Sequence, residues 1–314
     1  MPSIEDIILN QGKWTGISGV RLHLSHTFVE DAARFMVLDN PGHAFILTGF
    51  FIPLGWDSPT APGPVNKSSL NNTVSVPKSP IPETGSVESD GPPGAYFLGK
   101  ALTKLGWKVT YVVDHYATFT LKGQPTVEEV IEFPITDEKN SEDFAKELLA
   151  KHDPSVLVAV ERPGMSAEGK YQFVGGTDVT VRTAKLDYLF RHHNATVGIG
   201  DWGNEIGLAN ISEFTGPNLP SKAPTITGST HPIIAAVSNW GAYGLIAAIS
   251  KITNRNLLPH PDMEFDHIQR LIECGMVDGR GRSEWIVDGF GPEENRRVLV
   301  DLWDHLYAAG ITKL

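Results

Sequence analysis

The stretch 155–161, SVLVAVE, combines a buried strand with a charged residue directly after it. Five apolar residues in succession are typical of a parallel strand that is covered on both faces. Similar short apolar runs recur along the chain, at 43–48, 107–113, 130–135, 196–199 and 233–237. Segments with helical spacing of apolar residues separate most of them. We therefore predict an α/β fold of three layers, with a mainly parallel sheet and helices on both faces.

Helical patterns fill most of the remaining chain. The first forty residues are predicted to be helical, and further helices are predicted at 92–105, 141–151 with Ser141 as its N-cap, 185–193, 243–252, 262–274 and 292–309. The segment 57–93 contains 8 of the 22 prolines and is predicted to be a loop without regular structure. We expect its middle, 58–83, to be mobile. The prediction is thus one α/β domain over 1–314, with a Pro-rich insertion at 57–93.

Composition excludes several classes of partner. The chain has 26 Lys and Arg against 37 Asp and Glu, a net charge of −11, so it lacks the basic surface that nucleic acids or anionic membranes require. The apolar run 231–249 contains Pro232 and Asn239 and is interpreted as a buried strand and helix, not a membrane span. An acidic chain does, however, have carboxylates available for divalent metals. A homo-oligomer remains possible and the sequence does not decide it.

The cysteine content points to a reducing compartment. Cys274 is the single cysteine, which excludes an intramolecular disulfide and a zinc site of several thiolates. Its place on an apolar helix face predicts a buried, unreactive thiol. The first residues lack the pattern of a signal peptide, so we expect a cytoplasmic protein.

The densest motif is 198–207, GIGDWGNEIG, at the end of a predicted strand. Carboxylate and amide oxygens at Asp201, Asn204 and Glu205 suit a Mg²⁺, Mn²⁺ or Ca²⁺ site, because these ions prefer hard oxygen ligands. A tight turn with Asp201 as a helix N-cap explains the same residues. The residues alone leave both interpretations open.

Charged residues also stand at two other places, one directly after a predicted strand and one directly before a predicted helix. Glu161 follows the apolar run and precedes Arg162, so its burial requires a metal or an ion pair with the arginine. Glu88 and Asp90 precede the predicted helix at 92–105, where they either complement the helix dipole or act as metal ligands or as an acid/base pair. In α/β sheets ligands bind beyond the carboxyl ends of the strands, which is where these residues are expected.

Five ordered strings of the chain resemble the C-terminal domain of the D-glutamate cyclase family. They are 48–50 (TGF), 89–95 (SDGPPGA), 160–164 (VERPG), 200–207 (GDWGNEIG) and 237–243 (VSNWGAY), and VDG at 287–289 is also similar to the family. The resemblance spans about residues 44–289. It implies an α/β fold, metal binding, and, by analogy with the two-domain members, conversion of D-glutamate to 5-oxo-D-proline and water. Trp202 stands where the family usually has glycine, so the expected substrate is D-glutamate or a related amino-acid-derived carboxylate.

The resulting hypothesis is a metal-dependent lyase or cyclase that acts on a small carboxylate substrate. Asp201, Glu205, Glu161 and Asn204 would bind a divalent metal, with Mg²⁺ or Mn²⁺ expected. Asp90, Glu88 and Glu161 would be catalytic, with Asp90 or Glu88 moving protons. The substrate would be bound by Thr48, Gly49, Arg162 and Asn239, with Arg162 holding a carboxylate. The alternatives are a metal-dependent phosphatase with the same carboxylates and a metabolite-binding protein without catalysis.

Overall fold

The main element of the fold is a six-stranded parallel sheet with the strand order β5-β4-β1-β6-β7-β8. The computed structural model describes residues 1–9, 20, 21, 23–37, 41–54, 84–173, 177–211 and 223–312. The six strands are β1 (His43–Thr48), β4 (Lys108–Val113), β5 (Glu129–Glu132), β6 (Val156–Val160), β7 (Thr196–Gly200) and β8 (His231–Ile234). A separate antiparallel pair joins β2 (Phe51–Pro53) to β3 (Gly85–Val87).

The helices lie between and around these strands. They are α1 (Ile4–Leu9), α2 (Phe28–Val37), α3 (Pro92–Lys104), α4 (Thr118–Leu121), α5 (Glu138–His152), α6 (Asp187–Arg191), α7 (Ser238–Thr253), α8 (Pro261–Glu273) and α9 (Pro292–Ala308). A short 3₁₀ turn covers Thr180–Arg182. The predicted α/β fold is confirmed.

Alternate residues of the strands supply two hydrophobic cores, one on each face of the sheet. Ile46 and Val158 belong to the larger core, which also contains the apolar faces of α3, α7 and α9. Phe45 and Leu157 point to the other face, where they pack with residues of α5 and α6 such as Leu148. Burial on both faces explains why these strands are apolar without alternation. The three-layer arrangement follows from it.

The order of the strands reverses beside β1. From β1 the chain continues through β4 to β5 on one side, then crosses to β6, β7 and β8 on the other. Thr48 and Val160 are register partners at the ends of β1 and β6, so Gly49 and Glu161 leave the sheet side by side. Such a reversal opens a crevice at the carboxyl ends of the strands, where ligands of α/β proteins bind.

Three local expectations are wrong. The N-cap of α5 is Asp137, whose side chain accepts a hydrogen bond from the Asn140 N–H, and Ser141 lies inside the helix. Gly85–Val87 form a strand within the segment expected to lack regular structure, and the rest of that segment up to residue 83 lies outside the described residues. Cys274 is exposed, because it follows the last turn of α8 instead of facing the core.

The apolar run 231–249 divides into β8, a turn and most of α7. In the described part of the chain, no helix is long and apolar enough to cross a membrane.

The glycines of the 198–207 motif are required by backbone packing. Gly198 in β7 lies against Gly207, and a Cβ added at Gly198 would stand 2.5 Å from the Gly207 Cα and 2.7 Å from the Ile206 carbonyl oxygen. Gly207 has a φ of +99°, which L side chains rarely adopt. This close contact lets the chain after β7 fold back beneath the end of the strand.

We expect Gly198→Ala to lower the free energy of unfolding by about 1–3 kcal/mol, because the added methyl group overlaps backbone atoms that cannot move aside. Urea denaturation measures the change. Gly123→Asn is the control, since Gly123 has a positive φ that Asn tolerates and no described atom within 4 Å of an added Cβ. Equal stability of Gly198→Ala and the wild type would contradict the packing argument.

Candidate active site

Three carboxyl groups meet at the crevice beside β1 and β6. Asp90 precedes α3, Glu161 follows β6, and Asp201 follows β7. One oxygen of each lies within 4.8 Å of the others, and the residues are only 0, 5 and 0% exposed, respectively. Three carboxyl groups this close and this buried repel one another when ionised, so the arrangement requires protons or a cation.

Asp90 is fixed by backbone donors at the start of α7. Its Oδ2 accepts a hydrogen bond from the Ser238 N–H at 2.7 Å, and its Oδ1 accepts from the Asn239 N–H at 2.7 Å and the Gly91 N–H at 3.0 Å. Ser238 and Asn239 are 148 and 149 positions away from Asp90 in the sequence, and Gly91 is the next residue. The positive end of the α7 dipole adds to them. The carboxylate is therefore held in one orientation.

Glu161 has a strained backbone. Its φ of +44° is unusual for a residue with a side chain, and such strain is concentrated at functional sites. Its Oε2 accepts a hydrogen bond from the Ser238 hydroxyl at 2.6 Å. Gly91 packs against it so tightly that a Cβ at Gly91 would lie 2.7 Å from the Glu161 Cβ. The backbone thus turns the carboxylate toward Asp90 and Asp201.

Asp201 differs from the other two because neither of its carboxyl oxygens accepts a hydrogen bond from any donor of the described residues. Its backbone, in contrast, is well fixed. The Glu205 side chain accepts hydrogen bonds from the N–H groups of Asp201 at 3.2 Å, Trp202 at 2.8 Å and Gly203 at 2.7 Å. A fully buried carboxyl group without a donor is the strongest sign of a ligand in this chain.

The three N–H bonds give Glu205 a clear role in the turn. A side-chain carboxyl group that accepts three backbone donors stabilises the turn that carries Asp201. Asn204 lies in the same turn, and its side-chain N–H donates to the Gln172 carbonyl at 3.0 Å. Its Oδ1, which is buried, accepts no hydrogen bond within the described ranges. Direct ligation by Glu205 or Asn204 stays a prediction.

Asp288 joins the site although the sequence assigned it no role. Its carboxyl group lies near those of Asp201 and Glu88 and raises the pKa of both, and the Trp202 indole N–H donates to its Oδ2 at 3.3 Å. Its φ of +50° is another strained backbone position. The one sequence feature that could have indicated Asp288 is the family-like string VDG at 287–289. It does not indicate a site by itself, because a turn also explains an Asp-Gly pair.

The pKa values of four carboxyl groups are raised well above their usual range. Burial is the largest cause of the raised pKa at Asp90, Glu161, Asp201 and Glu88. Neighbouring negative charge is the second: Asp288 acts on Asp90, Asp201 and Glu88, and Glu205 acts on Glu161. No lysine or arginine of the described residues forms an ion pair with any of these groups. The site is therefore a concentration of negative charge without its own counterion.

Arg162 is occupied by other parts of the protein. Its Nη1 lies 2.7 Å from the Asp114 carboxylate and donates to the Gly49 carbonyl at 2.7 Å, and its Nη2 donates to the Ala184 carbonyl at 2.8 Å. The Arg162 side chain is 0% exposed. A guanidinium with these partners holds the ends of β1, β4 and β6 together. Its predicted contact with substrate remains untested.

The other two predicted substrate contacts also lie at the crevice. Asn239 accepts the Gly91 and Gly94 N–H groups at 3.0 and 2.7 Å and donates to the Ser89 carbonyl at 3.0 Å, so its amide fixes the start of α3. Thr48 is fully buried, and its hydroxyl oxygen has no hydrogen-bond partner in the described chain. Among the described residues, the Thr48 hydroxyl and the Arg162 Nε are the polar groups of the predicted substrate-binding side chains that lack a hydrogen-bond partner.

The comparisons with known proteins show the family of the chain. Residues 9–303 match the family described as D-glutamate cyclase-like, C-terminal. The chain belongs to this family. A D-glutamate cyclase, mitochondrial, from Homo sapiens is 32% identical over 183 residues, which cover 52% of this chain and 29% of that protein. The chain therefore matches well under half of the length of its curated relative.

A solved structure also aligns with this D-glutamate cyclase-like chain. It is an exopolyphosphatase-related protein from Bacteroides fragilis, with 10% identity over 92% of this chain and 58% of that chain. The TM-score is 0.39, a value too low to support a conclusion about fold or activity.

We expect Arg162→Met to destabilise the D-glutamate cyclase-like chain by about 3–5 kcal/mol, because Asp114 would remain as a buried charge without a partner. The double variant Asp114→Asn with Arg162→Met removes both charges and is expected to recover much of that loss. Thermal and urea denaturation measure both. A stable Arg162→Met protein that has lost only affinity for substrate would instead support the substrate-binding role.

Proposed function

We propose that this chain is a metal-dependent cyclase of the D-glutamate cyclase type, a lyase that forms an intramolecular amide with loss of water. Its substrate would be D-glutamate or a related amino-acid-derived carboxylate. The proposal depends on one observation above all, the meeting of Asp90, Glu161 and Asp201 with the two unpaired oxygens of Asp201. Family membership supports a cyclase-type enzyme.

Asp90, Glu161 and Asp201 would bind the metal. Their buried oxygens form a hard, all-carboxylate donor set, which favours Mg²⁺ or Mn²⁺ over softer metals. Glu205 would keep Asp201 in place through the turn. When bound, a divalent ion would supply Lewis-acid polarisation of the carboxyl group that is attacked.

Glu88 is suited to move protons. Cyclisation forms a bond between the amine nitrogen and a carboxyl carbon, breaks a carbon–oxygen bond, and transfers two protons from the ammonium group to the departing oxygen as water. A carboxyl group with a raised pKa takes and returns protons near neutral pH. Burial and the adjacent Asp288 raise the pKa of Glu88. Asp90, whose orientation three backbone donors fix, is better suited to serve as a ligand.

The surrounding charge suits an amino-acid substrate. A concentration of carboxylates attracts the substrate ammonium group. The Asn204 Oδ1, an acceptor without a partner among described donors, is suited to accept from that nitrogen, and the Thr48 hydroxyl is suited to donate to a carboxylate. Near-attack geometry then lowers the entropic cost of ring closure. Trp202, half-buried at the edge beside Asp288, would limit the size of the substrate.

A proton NMR time course with the metal-stripped protein tests the activity. We expect 5-oxoproline signals from D-glutamate or a related acid only after Mg²⁺ or Mn²⁺ is added, and at least about 100-fold less product with Asp201→Asn or Glu161→Gln. Asp143→Asn, an exposed position on α5, is the control. Phosphate release from phosphomonoesters would favour the phosphatase alternative. Binding without turnover would favour a metabolite-binding protein.

A stability measurement tests the electrostatics of the same site. The raised pKa of Asp201 means that the folded protein binds its proton more tightly than the unfolded chain does, so ionisation costs stability as the pH rises above the unfolded pKa. We expect metal-free Asp201→Asn to be more stable than the wild type by about 1–3 kcal/mol at pH 8 and by less at pH 5. Mg²⁺ or Mn²⁺ should stabilise the wild type but not the variant. A variant less stable than the wild type at pH 8 would contradict this account.

A further inference from the structure

A second group of side chains that are able to bind a metal lies at the opposite end of the parallel strands from the carboxylates. His43 begins β1, Glu129 begins β5, and His152 ends α5. One ligand atom from each lies within 4.8 Å of the others. These positions are at the amino ends of the parallel strands, whereas Asp90, Glu161 and Asp201 lie beyond the carboxyl ends. The two groups are therefore separate sites.

The His43 ring is oriented as in a metal ligand. Its Nδ1 lies 3.0 Å from the His152 carbonyl oxygen, and because a carbonyl only accepts, Nδ1 carries the proton. Nε2 points into the cluster, 2.8 Å from the Thr110 hydroxyl, which itself donates to Glu129, so a metal can bind Nε2 once that hydroxyl has turned aside. Metal-ligating histidines characteristically donate their other N–H to a carbonyl or carboxylate in this way.

Glu129 and His152 complete the group. The Glu129 Oε2 lies 3.9 Å from the His152 Nδ1 and accepts a hydrogen bond from the Thr110 hydroxyl at 2.6 Å. The Thr110 hydroxyl thus sits between the His43 nitrogen and the carboxylate. Lys108 also approaches Glu129, with 3.7 Å between Nζ and Oε2, but the lysine side chain is 55% exposed and free to turn into solvent.

We propose that His43, Glu129 and His152 bind a single transition-metal ion of the Zn²⁺ class. Two imidazoles and one carboxylate are a ligand set found in zinc sites, and imidazole also suits Co²⁺, Ni²⁺ and Cu²⁺ better than Mg²⁺ or Ca²⁺. Tetrahedral zinc places nitrogen and oxygen ligands about 3.3 Å apart. The 3.9 Å pair therefore needs only a small movement, with the Thr110 hydroxyl turned aside.

The position of the site suggests what the ion would do. It would link the start of β1 to the start of the edge strand β5 and to the end of α5. Any ion that binds the folded chain alone stabilises it. The site would thus act as a structural clip that is independent of the proposed cyclase reaction.

Cobalt binding tests the proposal on the full chain. Co²⁺ is titrated in the presence of excess Mg²⁺, which occupies all-oxygen sites, and the visible absorption typical of tetrahedral nitrogen and oxygen coordination is recorded. We expect one Co²⁺ per chain, displaced by Zn²⁺. Glu129→Gln and His152→Gln should each weaken Co²⁺ binding by at least about 10-fold, because loss of a residue that only hydrogen-bonds to a metal ligand already costs that much affinity. His192→Gln is the matched control, because His192 contacts a single glutamate, Glu142 at 2.9 Å.

Two further variants separate a metal site from a chain of hydrogen bonds. Thr110→Val removes the intervening hydroxyl but keeps the three ligands, so Co²⁺ binding should persist. Lys108→Gln removes the competing cation and should tighten binding by about 2- to 5-fold. Absence of tetrahedral Co²⁺ absorption in the wild type, or the same affinity in Glu129→Gln and His152→Gln, would overturn the proposal. So would loss of binding in Thr110→Val with the fold intact.

Discussion

Buried negative charge without a described counterion is the constraint on which the architecture of the active site depends. Asp90, Glu161 and Asp201 lie within 4.8 Å of one another, and Glu88 and Asp288 adjoin them. Such a group destabilises the folded chain unless it is protonated or binds a cation. The free energy must come from the remainder of the fold, chiefly from the two apolar cores of the sheet. A cost of this kind is retained where function requires it.

The protein meets this constraint with backbone dipoles instead of basic side chains. The N–H groups at the start of α7 hold Asp90, and three N–H groups of the 201–203 turn bind Glu205. Arg162, the nearest arginine in sequence to the site, neutralises Asp114 instead. An arginine directed at the carboxylates would compete with a metal for them. Fixed N–H groups orient the carboxylates and leave their remaining lone pairs available to an ion.

The sheet was predicted well from the sequence because each strand is marked by an apolar run of its own residues. Runs such as 155–160 are apolar enough to require burial on both faces, and alternation with helices then gives the parallel topology. The partners of the site residues were not predictable by the same means. Arg162 pairs with Asp114, and Asn239 binds Gly91 148 residues away, so their roles depend on contacts that no spacing reveals. Asp288 looks like a turn residue until the fold brings it to Asp201.

The same carboxylates bear on how the proposed amino-acid substrate would bind and how its amine would react. A field that attracts an ammonium group also stabilises its proton, which opposes attack by the nitrogen. A cation at Asp90, Glu161 and Asp201 would reduce that field, while Glu88, whose pKa is raised by burial and by neighbouring carboxylates, would exchange the proton. In the proposed reaction Asp90, Glu161 and Asp201 would bind the metal and Glu88 would move protons, so two kinds of carboxyl group would be needed. The crevice at β1 and β6 holds both.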